Sequence, residues 1–285
     1  MSNLGVDTAV SLIEAGRYEG KLNRDWEIWG PNGGYIASVA LRAAAAHAAL
    51  PRPASFSCQY LAVGNFEEPV RALVDTARRT KRAECVTVRL EQGDRLLLTA
   101  QAWFIDENHE GLEHDFSRMP EIPSWSECPT VEEHLDRMGV PEEERIGRFK
   151  FWLNFVERPT VWFDNWEDRP AGEPVFSNWV KYADPGDWKD VAVDAARLTV
   201  IADTVSWPAN MRAYSGPVPW MGPSLDLNVQ FHRFEPEADW LLMYGRADVS
   251  TQGLFAFNGQ VWSENGTLLA SSSGQCFYRK VEQPS

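Results

Sequence analysis

Gly30-Pro-Asn-Gly-Gly-Tyr-Ile-Ala-Ser-Val-Ala-Leu-Arg-Ala-Ala-Ala-Ala-His-Ala-Ala-Leu50 joins a helix-start signal to about five turns of almost unbroken apolar, mostly small side chains. The pattern predicts one long buried helix. Asn32 is placed to cap its first N–H groups, Gly33 and Gly34 let another backbone come close, and Pro51 and Pro53 stop it. Arg42 and His47 are its only strongly polar interior residues. A helix that is apolar almost all round must be covered on nearly every side, so the segments that follow are expected to curl around it.

Composition bounds the rest. With 285 residues, the chain can bury one large core or two ordinary ones, and 44% apolar with 12% aromatic content is that of a globular protein. No uncharged apolar run is long enough for a membrane span, and the start Met-Ser-Asn-Leu-Gly-Val-Asp lacks a signal peptide's basic and apolar regions, so a cytoplasmic protein is expected. Cys58, Cys85, Cys128 and Cys276 are too scattered for zinc or a disulfide framework and are taken as free thiols. A formal net charge of −14 argues against nucleic acid as a partner. The densest basic patch is Arg78, Arg79, Lys81 and Arg82, in a turn between two strands. It is either a solvated turn or a place for an anionic ligand. Nine of the thirteen tryptophans follow residue 150, as core or as the wall of an apolar pocket.

Around the long helix the pattern alternates. Residues 8–15 read as a short amphipathic helix, and Arg17–Leu22 with Trp26–Trp29 as one or two short strands. Four β-type runs follow at Phe56–Val63, Val70–Ala77, Glu84–Leu90 and Leu96–Ile105, with turn chemistry at Gly64-Asn65 and Gly93-Asp94. From Asp106 to about Arg148 the chain is acidic and proline-containing, with a helix expected at Val131–Met138 and its charge read as a solvated surface.

The second half repeats the order of the first. Phe151–Asp164 and Val175–Ala183 are strand-like, Asp190–Thr204 is a second apolar helix, and strands follow at Leu225–His232, Trp240–Val249, Phe255–Ser263 and Leu268–Tyr278. Cys58-Gln59-Tyr60-Leu61 matches Val229-Gln230-Phe231-His232, and Gly93-Asp94-Arg95-Leu96-Leu97 matches Asn265-Gly266-Thr267-Leu268-Leu269. A strand, a long helix and a meander wrapped around it form a hotdog, so the expected fold is α+β, a double hotdog of two antiparallel sheets, each wrapped around its central helix. Its parts are an N-terminal hotdog over 1–105, an acidic linker over 106–150 and a C-terminal hotdog over 151–285.

Three segments then carry a family resemblance: Trp29-Gly-Pro-Asn-Gly-Gly-Tyr-Ile-Ala, Ser224-Leu-Asp-Leu-Asn-Val-Gln-Phe-His-Arg and Gly266-Thr-Leu-Leu-Ala-Ser. In order and spacing they resemble those of the acyl-CoA thioesterase II-like proteins, from about residue 16 to residue 280. That resemblance implies an acyl-CoA substrate, no cofactor, and a water activated by an aspartate and held by a hydroxyl and a glutamine.

The residues themselves single out Asp203. It lies nine positions beyond Asp194, about half a turn round the helix from the face that Asp194 shares with Arg197. A carboxylate near a helix C-terminus among apolar neighbours has a raised pKa, which suits a general base, although an Asp bonding local backbone at a fraying end fits the same sequence. The resemblance makes Asp203 the base, and it puts at Ser224 the hydroxyl that holds the water. Without it Ser224 is a strand-start turn residue.

Gln275 is one residue later than the family pattern, which falls on Gly274. The first half has ten residues from Gly93 to Trp103 and the second eleven from Gly266 to Phe277, so a bulge at Gly274 is expected to return Gln275 to the inner face, with Ser273 as its substitute. Gly33 and Gly34 are either oxyanion donors or a close-packing contact. His232, in no metal-ligand spacing, is read as structural, and the aperiodic segment Trp207–Trp220 as a loop that gates an acyl pocket or covers the second helix. Two competing functions use the same fold: a non-catalytic acyl or acyl-CoA binding protein, and an acyl-CoA hydratase, whose Asp and His motif is not found. Association of double hotdogs into homodimers or larger homo-oligomers is left open.

Overall fold

The computed structural model describes residues 2–147, 149–184 and 186–281; Met1, Arg148 at the end of the expected linker, Pro185, and 282–285 at the end of the expected second unit lie outside the described residues. The chain opens with α1 (Leu4–Asp7), β1 (Ser11–Glu14) and β2 (Arg17–Gly20), followed by α2 (Gly33–His47). Then come β3 (Arg52–Tyr60), β4 (Val70–Arg79), β5 (Ala83–Gln92), β6 (Arg95–Ile105) and α3 (Val131–Arg137). The second half holds β7 (Phe155–Pro159), β8 (Val175–Tyr182), α4 (Val191–Thr204), α5 (Ser206–Met211) and β9 (Trp220–Met221). It ends with β10 (Asp226–Phe231), β11 (Leu241–Thr251), β12 (Leu254–Ser263), β13 (Leu268–Phe277) and β14 (Arg279–Lys280).

The two antiparallel sheets meet edge to edge. Ser55–Gln59 of β3 pair with Asp226–Gln230 of β10, making one twelve-stranded sheet in the order β1-β2-β4-β5-β6-β3-β10-β13-β12-β11-β8-β7. On it lie α2 and α4, packed together in opposite directions: Gly34 meets Asp203, Ser38 donates to the Ala196 carbonyl at 2.9 Å, and Arg42 pairs with Asp190 at 3.2 Å. The N-terminus of α2 therefore sits at the C-terminus of α4, which the sequence does not decide. Both helices belong to one continuous apolar core.

The Asn32 cap forms as expected, its side chain accepting from the Tyr35 N–H at 2.9 Å. The helix nonetheless ends at His47, three residues before Leu50, because the buried Glu84 carboxylate accepts from the Ala49 and Leu50 N–H groups. Residues 11–14 form a strand instead of continuing a helix, since β2 offers an edge for pairing, and 3-10 turns over 24–26 and 150–154 take in Trp26 and 151–154, which the pattern assigns to strands. The segment 207–220 is not aperiodic at its start: Ser206–Met211 is helical directly after α4.

The acidic segment is only partly a solvated surface. Trp125 stacks on Trp240 with ring centroids 5.3 Å apart, and Trp179 donates its indole N–H to the Pro123 carbonyl at 3.0 Å. With Cys128, Leu242 and Trp262 these residues form a second apolar cluster, so several of the late tryptophans are core. All four cysteines are free and buried. Among the described residues, no helix is long and apolar enough to cross a membrane, and no group of three or more His, Cys, Asp and Glu side chains could hold a metal ion.

Candidate active site

The α2 start and the α4 end bring together residues far apart in sequence. Asp203, only 6% exposed, accepts a hydrogen bond from the Gly34 N–H at 2.8 Å through Oδ2. Its Oδ1 accepts from the Ser224 hydroxyl at 3.4 Å, a long bond. Burial pushes the Asp203 carboxyl up to about 6, with the Gly34 N–H, the Ser224 hydroxyl and the nearby Tyr60 hydroxyl pulling back towards the charged form. A carboxyl balanced near neutrality beside polar donors is suited to taking a proton from water.

Glycine is required at both helix-start positions, for different reasons. A Cβ on Gly34 would lie 2.9 Å from the Cα and carbonyl oxygen of Val200, so residue 34 is where the two helix backbones touch. A Cβ on Gly33 would lie 2.9 Å from Asp203 Oδ2 and 3.3 Å from the Tyr60 hydroxyl, so its absence keeps space open between those groups. The Gly34 N–H is committed to the carboxylate and the Tyr35 N–H to the Asn32 cap. The Gly33 N–H has no hydrogen-bond partner among the described residues.

Ser224 stands just before β10, held by a bridge to Cys276 of β13, whose thiol donates to the Ser224 hydroxyl at 3.6 Å. Gln275 is not brought to this group. The bulge expected at Gly274 does not form, since pairing with β12 runs unbroken from Ala270 to Phe277 and sets Gln275 opposite Ala256. The extra residue lies upstream, at Leu269, and the first half carries one in the matching place, at Leu97. In both halves the carbonyl of that residue receives two N–H groups from just past the end of the neighbouring strand, from Leu61 and Ala62 after β3 and from His232 and Arg233 after β10. The two halves thus have equal length here, and the partner of Gln275 in the repeat is the exposed Trp103, not an inward residue. Gln275 itself is exposed, and its backbone N–H donates to the Asp226 carboxylate at 2.7 Å. Gly274 has the family position, but a Cβ there would come within 2.7 Å of the Phe257 ring. Its substitute, Ser273, lies opposite Asn258 and Asn228, one strand residue from the inward Ser272.

The basic residues Arg78, Arg79, Lys81 and Arg82 are also elsewhere. Arg79 binds Glu84, which receives the N–H groups just past the C-terminus of α2, so this turn is a helix length, about 22 Å, from the Gly33 end. His232 faces Ser271 at 2.9 Å and lines a cleft of about 380 Å³ with His114, Asp115 and Arg233. That cleft is near the other end of α4, and burial lowers the His232 pKa.

One residue of this group does not stand out in the sequence. Tyr60, the last residue of β3, places its hydroxyl beside Gly33, the Asp203 carboxylate and the Cys58 thiol, sealed from solvent and met by none of the described residues in hydrogen-bond geometry. A signal was available: the repeat sets Tyr60 opposite Phe231, the same ring without the hydroxyl.

Comparison with known proteins points the same way. A family model for the acyl-CoA thioesterase N-terminal domain matches residues 22–105, and one for the acyl-CoA thioesterase C-terminal domain matches 116–278. Among solved structures, an acyl-CoA thioesterase II TesB2 from Mycobacterium marinum is similar at 18% identity and TM-score 0.75, covering 99% of each chain. A tesB protein from Mycobacterium avium subs paratuberculosis matches at 20% identity and TM-score 0.70, covering 97% of this chain and 98% of that one. A hot dog fold protein of unknown function from Alicyclobacillus acidocaldarius matches at 21% and 0.76, covering 99% and 98%. No protein of curated function matches.

Proposed function

Because the chain belongs to the acyl-CoA thioesterase family, we propose that it hydrolyses an acyl-CoA thioester with a water that Asp203 deprotonates and Ser224 positions. The observation that carries this reading is the buried Asp203 carboxyl, lifted to about 6 and pinned between a helix-start N–H and a hydroxyl.

In the proposed reaction the water gives its proton to Asp203 as its oxygen attacks the thioester carbon. The carbonyl electron pair moves onto oxygen, where the unpaired Gly33 N–H at the positive end of α2 stabilises it. Collapse restores the C=O bond and expels the CoA thiolate, to which protonated Asp203 returns the proton. Gln275, facing away, has no part in it. The basic turn at 78–82 is left out for its distance from the carboxylate.

Release of free thiol from a panel of acyl-CoAs of different chain length tests the reading. Turnover above background on at least one of them is expected, and none on any overturns it. A second reading, an acyl-CoA binding protein without turnover, is favoured by the outward position of Gln275. Saturable binding of an acyl-CoA with no thiol release selects it.

Ser224→Ala gives a sharper outcome. Loss of a hydrogen bond to a charged group of about 1.5–3 kcal/mol corresponds to a fall in kcat/KM of about 10- to 150-fold. The hydroxyl favours the ionised carboxylate, so its removal raises the Asp203 pKa, and the acid limb of the pH profile of kcat/KM is expected to move to higher pH. A limb that stays in place or moves down would show that Ser224 does not hold this carboxylate.

A further inference from the structure

We propose that the Tyr60 hydroxyl is the second oxyanion donor of the site, acting with the Gly33 N–H on the thioester carbonyl oxygen. The proposal rests on the reading of Asp203 as the hydrolytic base.

Three observations lead to it. The Tyr60 hydroxyl oxygen is buried and no described residue meets it in hydrogen-bond geometry, with the Asp203 carboxylate and the Cys58 thiol close by, although leaving a buried polar group unpaired is costly. A group kept at that cost calls for an explanation, and hydrogen bonding to a substrate oxygen supplies one. The second observation is its position: one point in space, where a Cβ on Gly33 would stand, lies 2.9 Å from Asp203 Oδ2 and 3.3 Å from the Tyr60 hydroxyl. The unpaired O–H, the unpaired Gly33 N–H and the proposed base thus converge. A carbonyl oxygen entering between the two donors would satisfy both, while the attacking water stands at the carboxylate.

The third observation comes from the repeat. Phe231 holds the equivalent place at the end of β10, in a cleft against Asp194, Ala195 and Leu198 near the start of α4. The hydroxyl is present only at the end of the helix pair that carries Asp203, and packing of the ring alone does not require it. Its surroundings keep it a donor. Burial and the neighbouring Asp203 carboxylate hold the phenol protonated, and the nearby Cys58 and Cys276 thiols are themselves held protonated by burial. During attack the phenol O–H strengthens its hydrogen bond to the oxygen that gains the electron pair. It keeps its proton throughout, so the proton balance remains between water, Asp203 and the thiolate.

Tyr60→Phe in the full chain, assayed on an acyl-CoA that the wild type hydrolyses, tests this. Removal of one oxyanion donor is expected to lower kcat by about 100- to 1,000-fold with KM changed by less than about threefold. The Tm should stay level or rise, since the variant loses an unpaired buried hydroxyl. Phe231→Tyr, which adds a hydroxyl at the repeat position, is expected to leave kcat unchanged. Tyr60→Phe with kcat within about threefold of wild type, while Asp203→Asn is inactive, overturns the oxyanion role and leaves the base reading standing. No thiol release from the wild type overturns both. Should Tyr60→Phe fail to fold, 3-fluorotyrosine at position 60 keeps the shape and sharpens the donor. An unchanged kcat there overturns the proposal equally.

Discussion

Asp203→Asn is expected to remove thioester hydrolysis and at the same time to make the protein more stable at pH 8. The first effect follows from the loss of the base: an amide cannot take a proton from water, and general-base catalysis contributes about 100- to 10,000-fold. The second follows from the burial that makes the base useful. Asp203 titrates at about 6 in the folded chain against the ordinary 3.8, so folding disfavours its charged form. Below about pH 4 the group is protonated in both states and costs nothing. Between about pH 4 and 6 the unfolded chain releases the proton first and stability falls, and above about pH 6 the full penalty applies. A shift of about two pH units corresponds to roughly 3 kcal/mol, of which the variant should recover on the order of 2 kcal/mol. Asparagine fits the same contacts, since its carbonyl can accept from the Gly34 N–H and its NH₂ can donate to the Ser224 hydroxyl oxygen. Thermal melts of both proteins at pH 8 and at about pH 4 should show a gap at the higher pH that closes at the lower. In the wild type, kcat/KM should rise with pH through about 6 and then level off. Full activity in the variant, or a variant less stable than wild type at pH 8, would sink this account of Asp203.

The parts of this fold that sequence reveals are those fixed by local chemistry. Asn32 and the alanine run announce α2, and alternation announces the meanders, because cap and period are properties of neighbouring residues. The family resemblance is likewise carried by short continuous motifs, and the matching family models bear it out. What local chemistry does not fix depends on distant partners. The end of α2 is set by Glu84 on β5, and strand β1 by the edge of β2. The place of Gln275 depends on a register that counting from Gly266 to Phe277 misassigns, because the wide spot lies at Leu269 and has a twin at Leu97. Asp203 stands out because a helix period places it off the Asp194 face. Tyr60 does not, since an aromatic residue closing a strand reads as core. Only the joining of β3 to the second half and the opposed run of α2 and α4 turn its hydroxyl into part of a polar cluster.

Gly34→Ala should be among the most damaging single-methyl changes in the chain. Its new Cβ would stand 2.9 Å from both Val200 Cα and Val200 O, and 3.0 Å from Asp203 Cβ. The first two are backbone atoms of a buried helix, so no rotamer change relieves the contact and α2 and α4 must move apart. Overpacking of a close-packed core costs about 1–3 kcal/mol and occasionally more, and the better helix propensity of alanine offsets less than about 1 kcal/mol. At about 2–4 °C per kcal/mol for a chain of this size class, a net loss near 2 kcal/mol lowers Tm by roughly 4–8 °C. The same separation lengthens the Gly34 N–H bond to Asp203, which stands at 2.8 Å. Weakening that bond removes a donor that favours the carboxylate, so the Asp203 pKa should rise and hydrolysis at pH 7 should fall further than the stability loss explains. Two comparisons separate these effects. Gly33→Ala meets only the side-chain ends of Asp203 and Tyr60, so it should cost less stability while still lowering hydrolysis. Gly111→Ala, where a Cβ meets nothing within 4 Å, should change Tm and rate little. If Gly34→Ala melts with wild type, the contact between the two helix backbones is not what holds the carboxylate against the start of α2.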